Sequence, residues 1–473
     1  MLPERTITPK GYQENPDLLP TPTSQQTYNS WTFTLMMFSM NTCIPMFFLG
    51  PIGSSLGLNL WQALVGAFIG NLAAVLVMWM NGQAGVKYGI TFPVQLRESF
   101  GFKGIHVPIV LRGLAGTVWF GVEAYAGSLA LMMIFFSAFV PTDQVTPLSI
   151  KYLLIALVLY LGSFIVVMRY GLKGIGSMAN WAGPLMLLYF IWLVYFLASS
   201  PQFAPNIPKM YVSKAGYFSL NFLTYLAVQT NWWATVALNV SDLSRGINPE
   251  KPQAFPIGLF IGIVVCQVIG TALGFAAVAL TGTILPQDII LKYAPGGVAV
   301  VIGLLFAFLA PWSTDITANS PPLINILMAT FKLRWKLSVV LAGIIAFFAA
   351  PWWAVGSGPA YVDYIISWAS NYGILLGPIA GIMIGNYWTI RQKSYDLQKL
   401  YTFGPEGCWY AGGYSKAAFL SLVLTWVACY LIAAPTGQMS YVSGVPFPGG
   451  VTWYPAVVLS FIFYVIFARV YKE

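Results

Sequence analysis

Three carboxylates lie inside long apolar stretches of the chain, where an ionisable side chain is costly. They are Glu123, Asp315 and Asp363. A charge at the centre of a bilayer costs at least about 2.5 kcal/mol, so such a side chain usually faces the interior of a helix bundle and often marks a transport pathway. Asp363 lies near the end of its apolar stretch, which favours a structural role. Glu123 and Asp315 are therefore the first candidates for function.

Glu123 follows Trp119 by four residues in "VWFGVEAYAG", so the ring and the carboxyl group share one face of a helix. An aromatic ring beside a directional polar group suits a flat, hydrogen-bonding heterocycle. The alternative is a structural glutamate that bonds a neighbouring helix. We predict that Trp119 and Glu123 contact a substrate.

Asp315 belongs to "WSTDITAN", in which Asn319 follows it by four residues. The hydroxyls of Ser313 and Thr314 are hard oxygen ligands suited to a small cation, and the amide of Asn319 can both donate and accept a hydrogen bond. Each side chain could instead bond a carbonyl one turn earlier or join two helices. Asp315 itself is a candidate for coupling a cation or a proton.

The elements that must position these residues are membrane helices. The chain has 473 residues, of which 58% are hydrophobic and only 8% are charged. An apolar run of about 20 residues can cross a bilayer. The expected fold is an all-α polytopic membrane protein with about twelve spans, numbered 1 to 12 in chain order: 31–49, 58–80, 108–136, 150–168, 180–199, 217–240, 254–281, 298–327, 337–350, 360–386, 416–434 and 451–470.

Two of these spans are interrupted by polar residues. Span 1 carries Asn41, a candidate gating residue, and Thr42 ahead of Pro45, which removes a backbone donor. Span 6 carries the polar run 229–231 directly before two tryptophans. Breaks in spans 1 and 6 are what a five-plus-five inverted repeat with a mid-membrane binding site predicts.

The expected organisation follows from this repeat. Residues 1–30 form a polar tail rather than a signal peptide, 31–200 the first repeat, 217–390 the second, and 416–473 two further spans. The basic residues concentrate on one side of the spans, which places both termini in the cytoplasm and explains a net charge of +9 without a nucleic-acid partner. The predicted cytoplasmic set is Arg5, Lys10, Lys87, Arg97, Lys103, Arg112, Arg169, Lys173, Arg245, Lys251, Lys332, Arg334, Lys336, Arg391, Lys393, Lys399, Lys416, Arg469 and Lys472.

Enzyme chemistry has no recognisable motif in this sequence. His106 is the single histidine, the four cysteines follow no metal or disulfide spacing, and neither a phosphate-binding lysine loop nor a nucleophile elbow occurs. We predict a transporter without a cofactor. A channel is a weaker alternative, because the polar residues converge on one layer instead of lining a continuous path.

Five segments, in this order, resemble the nucleobase:cation symporter-1 family. They are "ENPDLLPTPTSQQTYNSW", "VWFGVEAYAG", "WWATVALNVSDLSR", "WSTDITAN" and "LYTFGPEGCWYAGGYSKAA". The resemblance implies ten helices in the inverted-repeat fold of the bacterial leucine transporter, plus two more. It also implies uptake of uracil, cytosine, allantoin, hydantoins, purines or thiamine-like compounds with a sodium ion or a proton.

The resemblance further implies roles for particular residues. The substrate would contact a tryptophan and a polar group in span 3, a tryptophan in span 6 and an amide in span 8. A sodium ion would bind two hydroxyls and the carbonyl oxygens near them. The substrate residues are Trp119, Glu123, Trp233 with Trp232 beside it, and Asn319; the sodium ligands are Ser313, Thr314, Ala310, Met36 and Ser39.

Two positions depart from the family pattern. Many members have glutamine where Glu123 stands and asparagine where Asp315 stands. An ionised glutamate only accepts hydrogen bonds, so we predict an amino- or amidine-bearing ring, such as cytosine, a purine or a thiamine-like pyrimidine, ahead of uracil or allantoin. A protonated Glu123 would recover a donor and allow proton symport.

The nearest alternative is an amino-acid symporter of the same fold. Its substrate carboxylate would need glycine-rich backbone in span 1, and "MNTCIP" contains no glycine. We expect an integral protein of a bacterial inner membrane.

Overall fold

The computed structural model describes residues 7–137, 150–171, 173–175, 181–352, 364, 368, 372–436, 439–442 and 445–473. Asp363 and the first part of span 10 lie outside them. The span helices are Ser30–Asn41 and Leu49–Ser55 (span 1), Leu60–Tyr88 (2), His106–Ser137 (3), Ile150–Met168 (4), Ala182–Ser199 (5), Leu220–Asn231 and Val236–Asn239 (6), Ala254–Leu259 and Cys266–Thr281 (7), Gly296–Thr314 and Ser320–Ala329 (8), Trp335–Ala349 (9), Gly373–Ile384 (10), Lys416–Ala433 (11) and Trp453–Tyr471 (12).

Short elements connect these helices. Four connecting α-helices cover Phe92–Phe100, Ser241–Ser244, Pro286–Tyr293 and Leu397–Leu400. An antiparallel hairpin of β1 (Met439–Val442) and β2 (Val445–Pro448) joins spans 11 and 12. The other elements of the described chain are helical, as the all-α prediction expects, and the sequence analysis gives no signal for this short connecting hairpin because four-residue strands carry no long apolar run.

A helix lies at each of the twelve predicted spans, but not every one is long enough to cross a membrane in the part of the chain that the structure describes. Within the described residues, eight helices are long and apolar enough to cross a membrane, or ten if each of two bent pairs is one span. Span 1 bends by 65° between Ser30–Asn41 and Met46–Ser55. The helix of span 9 has only 15 residues, and the unbroken part of span 6 has 12.

Local sequence signals account for several helix ends. Asn59 and Gln62 form a reciprocal capping box at the start of span 2, and Gly89 ends that helix with φ 69°, a conformation in which a side chain is strained. Asn29 accepts a hydrogen bond from the amide of Thr32 at the start of span 1. These caps satisfy backbone groups that the helices leave unpaired.

Span 3 is the centre of the packing. It contacts spans 4, 8, 9 and 10, while span 1 packs against spans 5, 7 and 8 and span 6 packs against span 2. Span 1 and span 7 approach closely at Gly50, where an added Cβ would lie 2.1 Å from the amide nitrogen of Phe275. This packing brings the polar residues of spans 1, 3, 6 and 8 together.

The tail runs across one end of the bundle, which we call the tail face (residues 7–29 and the loops they contact). Glu14 forms a buried ion pair with Arg97 at 2.7 Å, and Asn15 donates to the carbonyl of Leu333 at 2.7 Å. Tyr28 pairs with Ile247 in a parallel bridge, and burial raises the pKa of its hydroxyl. Residues 7–29 of the tail are therefore packed onto the rest of the fold.

Candidate functional site

A small cavity lies where spans 1, 3, 6 and 8 meet. Its volume is about 30 Å³, which holds a few water molecules at most and not a nucleobase. A ring could enter only if wall side chains moved. The lining residues are Met40, Cys43, Trp119, Glu123, Trp232, Trp233, Thr235, Val236, Thr314, Ala318 and Asn319.

All five predicted substrate residues lie in this wall. Trp119 and Glu123 face the cavity together from span 3, as their spacing predicts. Trp119 contacts Trp232 edge to face, with ring centroids 4.9 Å apart and planes at 64°. The two rings must separate before a heterocycle can lie between them, because each stacked layer needs about 3.5 to 4.0 Å.

The carboxyl group of Glu123 has one oxygen that is available for a further hydrogen bond. The side chain is 1% exposed, and the thiol of Cys43 lies within hydrogen-bonding reach of it. Its second oxygen, Oε2, has no hydrogen-bond partner among the described residues. A buried polar atom without a partner costs about 1–3 kcal/mol, so this oxygen favours a bound donor.

Span 6 breaks at its two tryptophans. The helix ends at Asn231, and turns carry the chain past Trp232 and Trp233 to Val236. Tyr372 at the start of span 10 donates to the carbonyl of Asn231 at 2.5 Å and lies 3.3 Å from that of Trp232. Among the described residues, the indole Nε1 of Trp233 has no partner. The break thus offers one free N–H donor to the cavity.

Two hydroxyls of span 8 meet the broken end of span 1. Ser313 donates to the carbonyls of Ser39 at 3.0 Å and Ala310 at 2.9 Å. Thr314 donates to the carbonyls of Met40 at 3.0 Å and Ala310 at 3.1 Å. These five oxygens form a compact cluster of hard ligands of the kind that small cations prefer.

Four of the five predicted cation ligands belong to this oxygen cluster. The structure brings Met40 there in place of Met36, whose carbonyl lies one turn earlier inside the helix Ser30–Asn41. Asn41 is turned away from the cluster. Its amide donates to the carbonyls of Gly262 at 3.3 Å and Ile263 at 3.0 Å and so fastens the break to span 7.

Asp315 is adjacent to the cluster in sequence, but its carboxylate has other partners. Oδ2 accepts from the hydroxyl of Tyr160 at 2.7 Å, and Oδ1 accepts from the amide of Asn319 at 2.9 Å. The stretch Asp315–Asn319 is a π-helical segment, a distortion frequent at functional sites. The carboxylate thus contacts the side-chain amide of Asn319, and not the hydroxyls of Ser313 and Thr314.

Arg112, one of the cations predicted for the cytoplasmic side, has a fully buried side chain. It donates to Asn239 at 2.9 Å, and Asn239 and Asn325 donate to Asp242 at 3.0 and 2.7 Å. Burial raises the pKa of Asp242, and the hydrogen bonds it accepts oppose that shift. The hydrogen-bonding partners of Arg112 explain how its guanidinium group can be buried inside the bundle.

Besides Met40 and the apolar lining residues, sequence reasoning missed four residues with polar side chains in this region. Cys43 and Thr235 line the cavity, Tyr160 holds Asp315, and Tyr372 covers the break of span 6. Cys43 lies between the polar pair of span 1 and Pro45, so the interruption could have pointed to it. The two tyrosines stand in ordinary apolar segments and give no such signal.

Comparison with known proteins places the chain among membrane permeases. A family model described as "Permease for cytosine/purines, uracil, thiamine, allantoin" matches residues 20–454. The purine-uracil permease NCS1 of Arabidopsis thaliana is 27% identical over 441 residues, covering 88% of this chain and 72% of the relative. The allantoin permease of Bacillus subtilis (strain 168) is 26% identical over 483 residues, covering 97% and 93%.

Solved structures show the same fold. Mhp1, a nucleobase-cation-symport-1 family transporter in a closed conformation with bromovinylhydantoin bound, superposes with a TM-score of 0.80 at 20% identity, covering 97% of this chain and 96% of Mhp1. A Na⁺-coupled sialic acid symporter gives a TM-score of 0.61 at 13% identity, covering 95% and 91%. The predicted family and transporter fold are confirmed: this chain belongs to the nucleobase:cation symporter-1 family of permeases.

Proposed function

We propose that this permease is a secondary active symporter that moves a nitrogen heterocycle together with a cation by alternating access. The observation that carries the proposal is the position of the cavity. It lies between Trp119 and the broken span 6 on one side and the Ser313–Thr314 oxygen cluster on the other, and Thr314 belongs to both. The binding site for the ring and the binding site for the cation therefore have Thr314 in common.

The free polar atoms of the wall favour a particular ring. Glu123 Oε2 can accept, the indole Nε1 atoms of Trp119 and Trp233 can donate, and none of the three has a partner among the described residues. A ring that carries an amino group near a carbonyl and a ring nitrogen satisfies all three. We therefore infer cytosine or an aminopurine as the substrate, ahead of uracil and allantoin.

The cluster supports sodium as the coupling ion. Its hydroxyl and carbonyl oxygens are neutral hard ligands, which suit an alkali cation. Asp315 bonds Tyr160 and Asn319 instead of this cluster, so it contributes no direct ligand. Proton coupling through Glu123 is the alternative that the experiment below distinguishes.

Uptake of labelled cytosine, adenine, uracil and allantoin, with and without a sodium gradient, tests the proposal. Sodium-stimulated cytosine or adenine uptake is expected, and Glu123→Gln should lower the preference for cytosine over uracil by about tenfold, since a hydrogen bond to a charged group contributes roughly 1.5–3 kcal/mol. Glu250→Gln, the same change at an exposed acid, should have no effect.

Two results would contradict parts of the proposal. Preference of the wild type for uracil over cytosine would refute the inference about the ring. Uptake that ignores sodium but disappears with a protonophore would refute the sodium site and assign coupling to a proton.

We also propose that the tail face is cytoplasmic, in a bacterial inner membrane, because the basic residues concentrate there. A reporter active only in the cytoplasm, fused after Glu473, should be active. Activity only in a periplasmic reporter would reverse this orientation.

A further inference from the structure

We propose that Asp315 determines whether the cavity wall offers the substrate a hydrogen-bond acceptor or a donor. It does so by holding the side-chain amide of Asn319 with its oxygen toward the cavity. Asp315 thereby acts as a specificity-determining residue that does not touch the substrate. The proposal rests on the function proposed above and specifies the edge of the heterocycle that faces Asn319.

The placement of the two side chains separates their roles. Asn319 lines the cavity, whereas Asp315 does not and is completely buried. The amide nitrogen of Asn319 donates to Oδ1 of Asp315 at 2.9 Å. The amide oxygen of Asn319 accepts no hydrogen bond within the part of the chain that the structure describes, and it is the end left for the cavity.

The chemistry of a carboxylate makes this orientation one-sided. The oxygen of Asp315 that faces Asn319 accepts a hydrogen bond, and only the NH₂ end of the Asn319 amide can donate to it. The hydroxyl of Tyr160 donates to the other oxygen of Asp315 at 2.7 Å, which holds the carboxylate in place. Asn319 then presents an acceptor to the substrate.

An amide at position 315 would remove this constraint. Its oxygen would accept from Tyr160, and its NH₂ group could donate to Asn319, which would turn over and present its own NH₂ to the cavity. The wall would change from acceptor to donor without loss of any residue that contacts the ring.

Cytosine and uracil report on this change, because they differ at ring positions 3 and 4. Cytosine presents an acceptor nitrogen and a donor amino group there, and uracil presents a donor N–H and an acceptor carbonyl. An acceptor wall therefore favours the amino group of cytosine, and a donor wall favours the carbonyl of uracil.

The test is binding of cytosine and uracil to purified protein, expressed as the ratio of the two dissociation constants. Asp315→Asn should shift the ratio toward uracil by about tenfold, the equivalent of roughly 1.4 kcal/mol. Tyr160→Phe also removes a buried hydrogen bond but leaves the carboxylate, so it should weaken both ligands and leave the ratio unchanged. Asp288→Asn, an exposed acid, is the control for the substitution itself.

An unchanged ratio in Asp315→Asn, with either base still bound, would overturn the inference, and so would an equal shift in Tyr160→Phe. If Asp315→Asn does not fold, Asp315→Ser replaces it, because a hydroxyl can also donate to Asn319 and should shift the ratio in the same direction. If the wild type binds none of cytosine, adenine, uracil and allantoin, that result would instead refute the proposed function.

Discussion

The two broken spans use the same backbone device for different partners. At the break of span 1, the carbonyls of Ser39 and Met40 accept from the two hydroxyls of span 8. At the break of span 6, the carbonyls of Asn231 and Trp232 lie against the single hydroxyl of Tyr372. Both breaks free carbonyl groups from a helix, but only the first collects several oxygens around one point.

The difference indicates how one fold separates its two ligands. The break of span 1 brings two hydroxyl and three carbonyl oxygens together, whereas the break of span 6 brings together one hydroxyl and two carbonyls, and a cation needs several oxygen ligands. Span 6 instead contributes its tryptophan rings to the cavity. We infer that span 1 serves the cation and span 6 serves the heterocycle.

The largest expected effect is on the heterocycle side. Trp233→Ala should weaken substrate binding by about 10- to 100-fold, since stacking of a base on an aromatic ring contributes roughly 1–3 kcal/mol. The sodium concentration for half-maximal uptake should not change. Initial uptake rates over a matrix of substrate and sodium concentrations measure both quantities, and Trp31→Ala, at a tryptophan that is 69% exposed, is the matched control.

A change in sodium dependence with unchanged substrate affinity in Trp233→Ala would break the comparison. Span 6 would then serve the cation as well.

The next largest effect is on the cation side. Ser313→Ala should raise the half-maximal sodium concentration by about tenfold, because a lost oxygen ligand is comparable to a lost hydrogen bond of about 1–1.5 kcal/mol. Substrate affinity at saturating sodium should return to that of the wild type. Ser200→Ala removes a hydroxyl that bonds only a carbonyl one turn earlier, and should leave sodium dependence intact.

The same uptake matrix decides the outcome for Ser313→Ala. Wild-type sodium dependence in this variant would show that the oxygen cluster only joins spans 1 and 8.

The smallest expected effect sharpens the role of span 6. Tyr372→Phe removes the hydroxyl that covers the break and should weaken substrate binding by a few fold, from a hydrogen bond of about 0.5–1.5 kcal/mol, without altering sodium dependence. Tyr195→Phe, at a tyrosine that is 72% exposed, is the control. A larger change in sodium dependence than in substrate affinity would mean that the break of span 6 also belongs to the cation path.

Spacing along a helix was enough to predict some neighbours. Trp119 and Glu123 share the cavity wall because residues four apart lie on one helical face, and Asn319 bonds Asp315 for the same reason. Partners from distant segments could not be predicted this way. Tyr160 meets Asp315, and Met40 meets Thr314, only because spans 4 and 8 and spans 1 and 8 pack together.

Charge statistics give no information on the partners of a buried cation. The positive-inside pattern assigns Arg112 to the cytoplasmic side, but Asn239 and the backbone of Ala318, which accept hydrogen bonds from it, are visible only in the fold. No count of basic residues per loop could reveal those acceptors.

The sequence by itself determined the class of this protein, the position of its helices, the two interrupted spans and the residue types that could hold a heterocycle and a cation. Composition and helical periodicity suffice for these, because they depend on neighbours in the chain. Only the tertiary structure decided which carbonyls face Ser313 and Thr314, that Asp315 bonds Asn319 and Tyr160, and that Trp119 closes on Trp232. These contacts join segments far apart in sequence, and helix packing alone fixes their geometry.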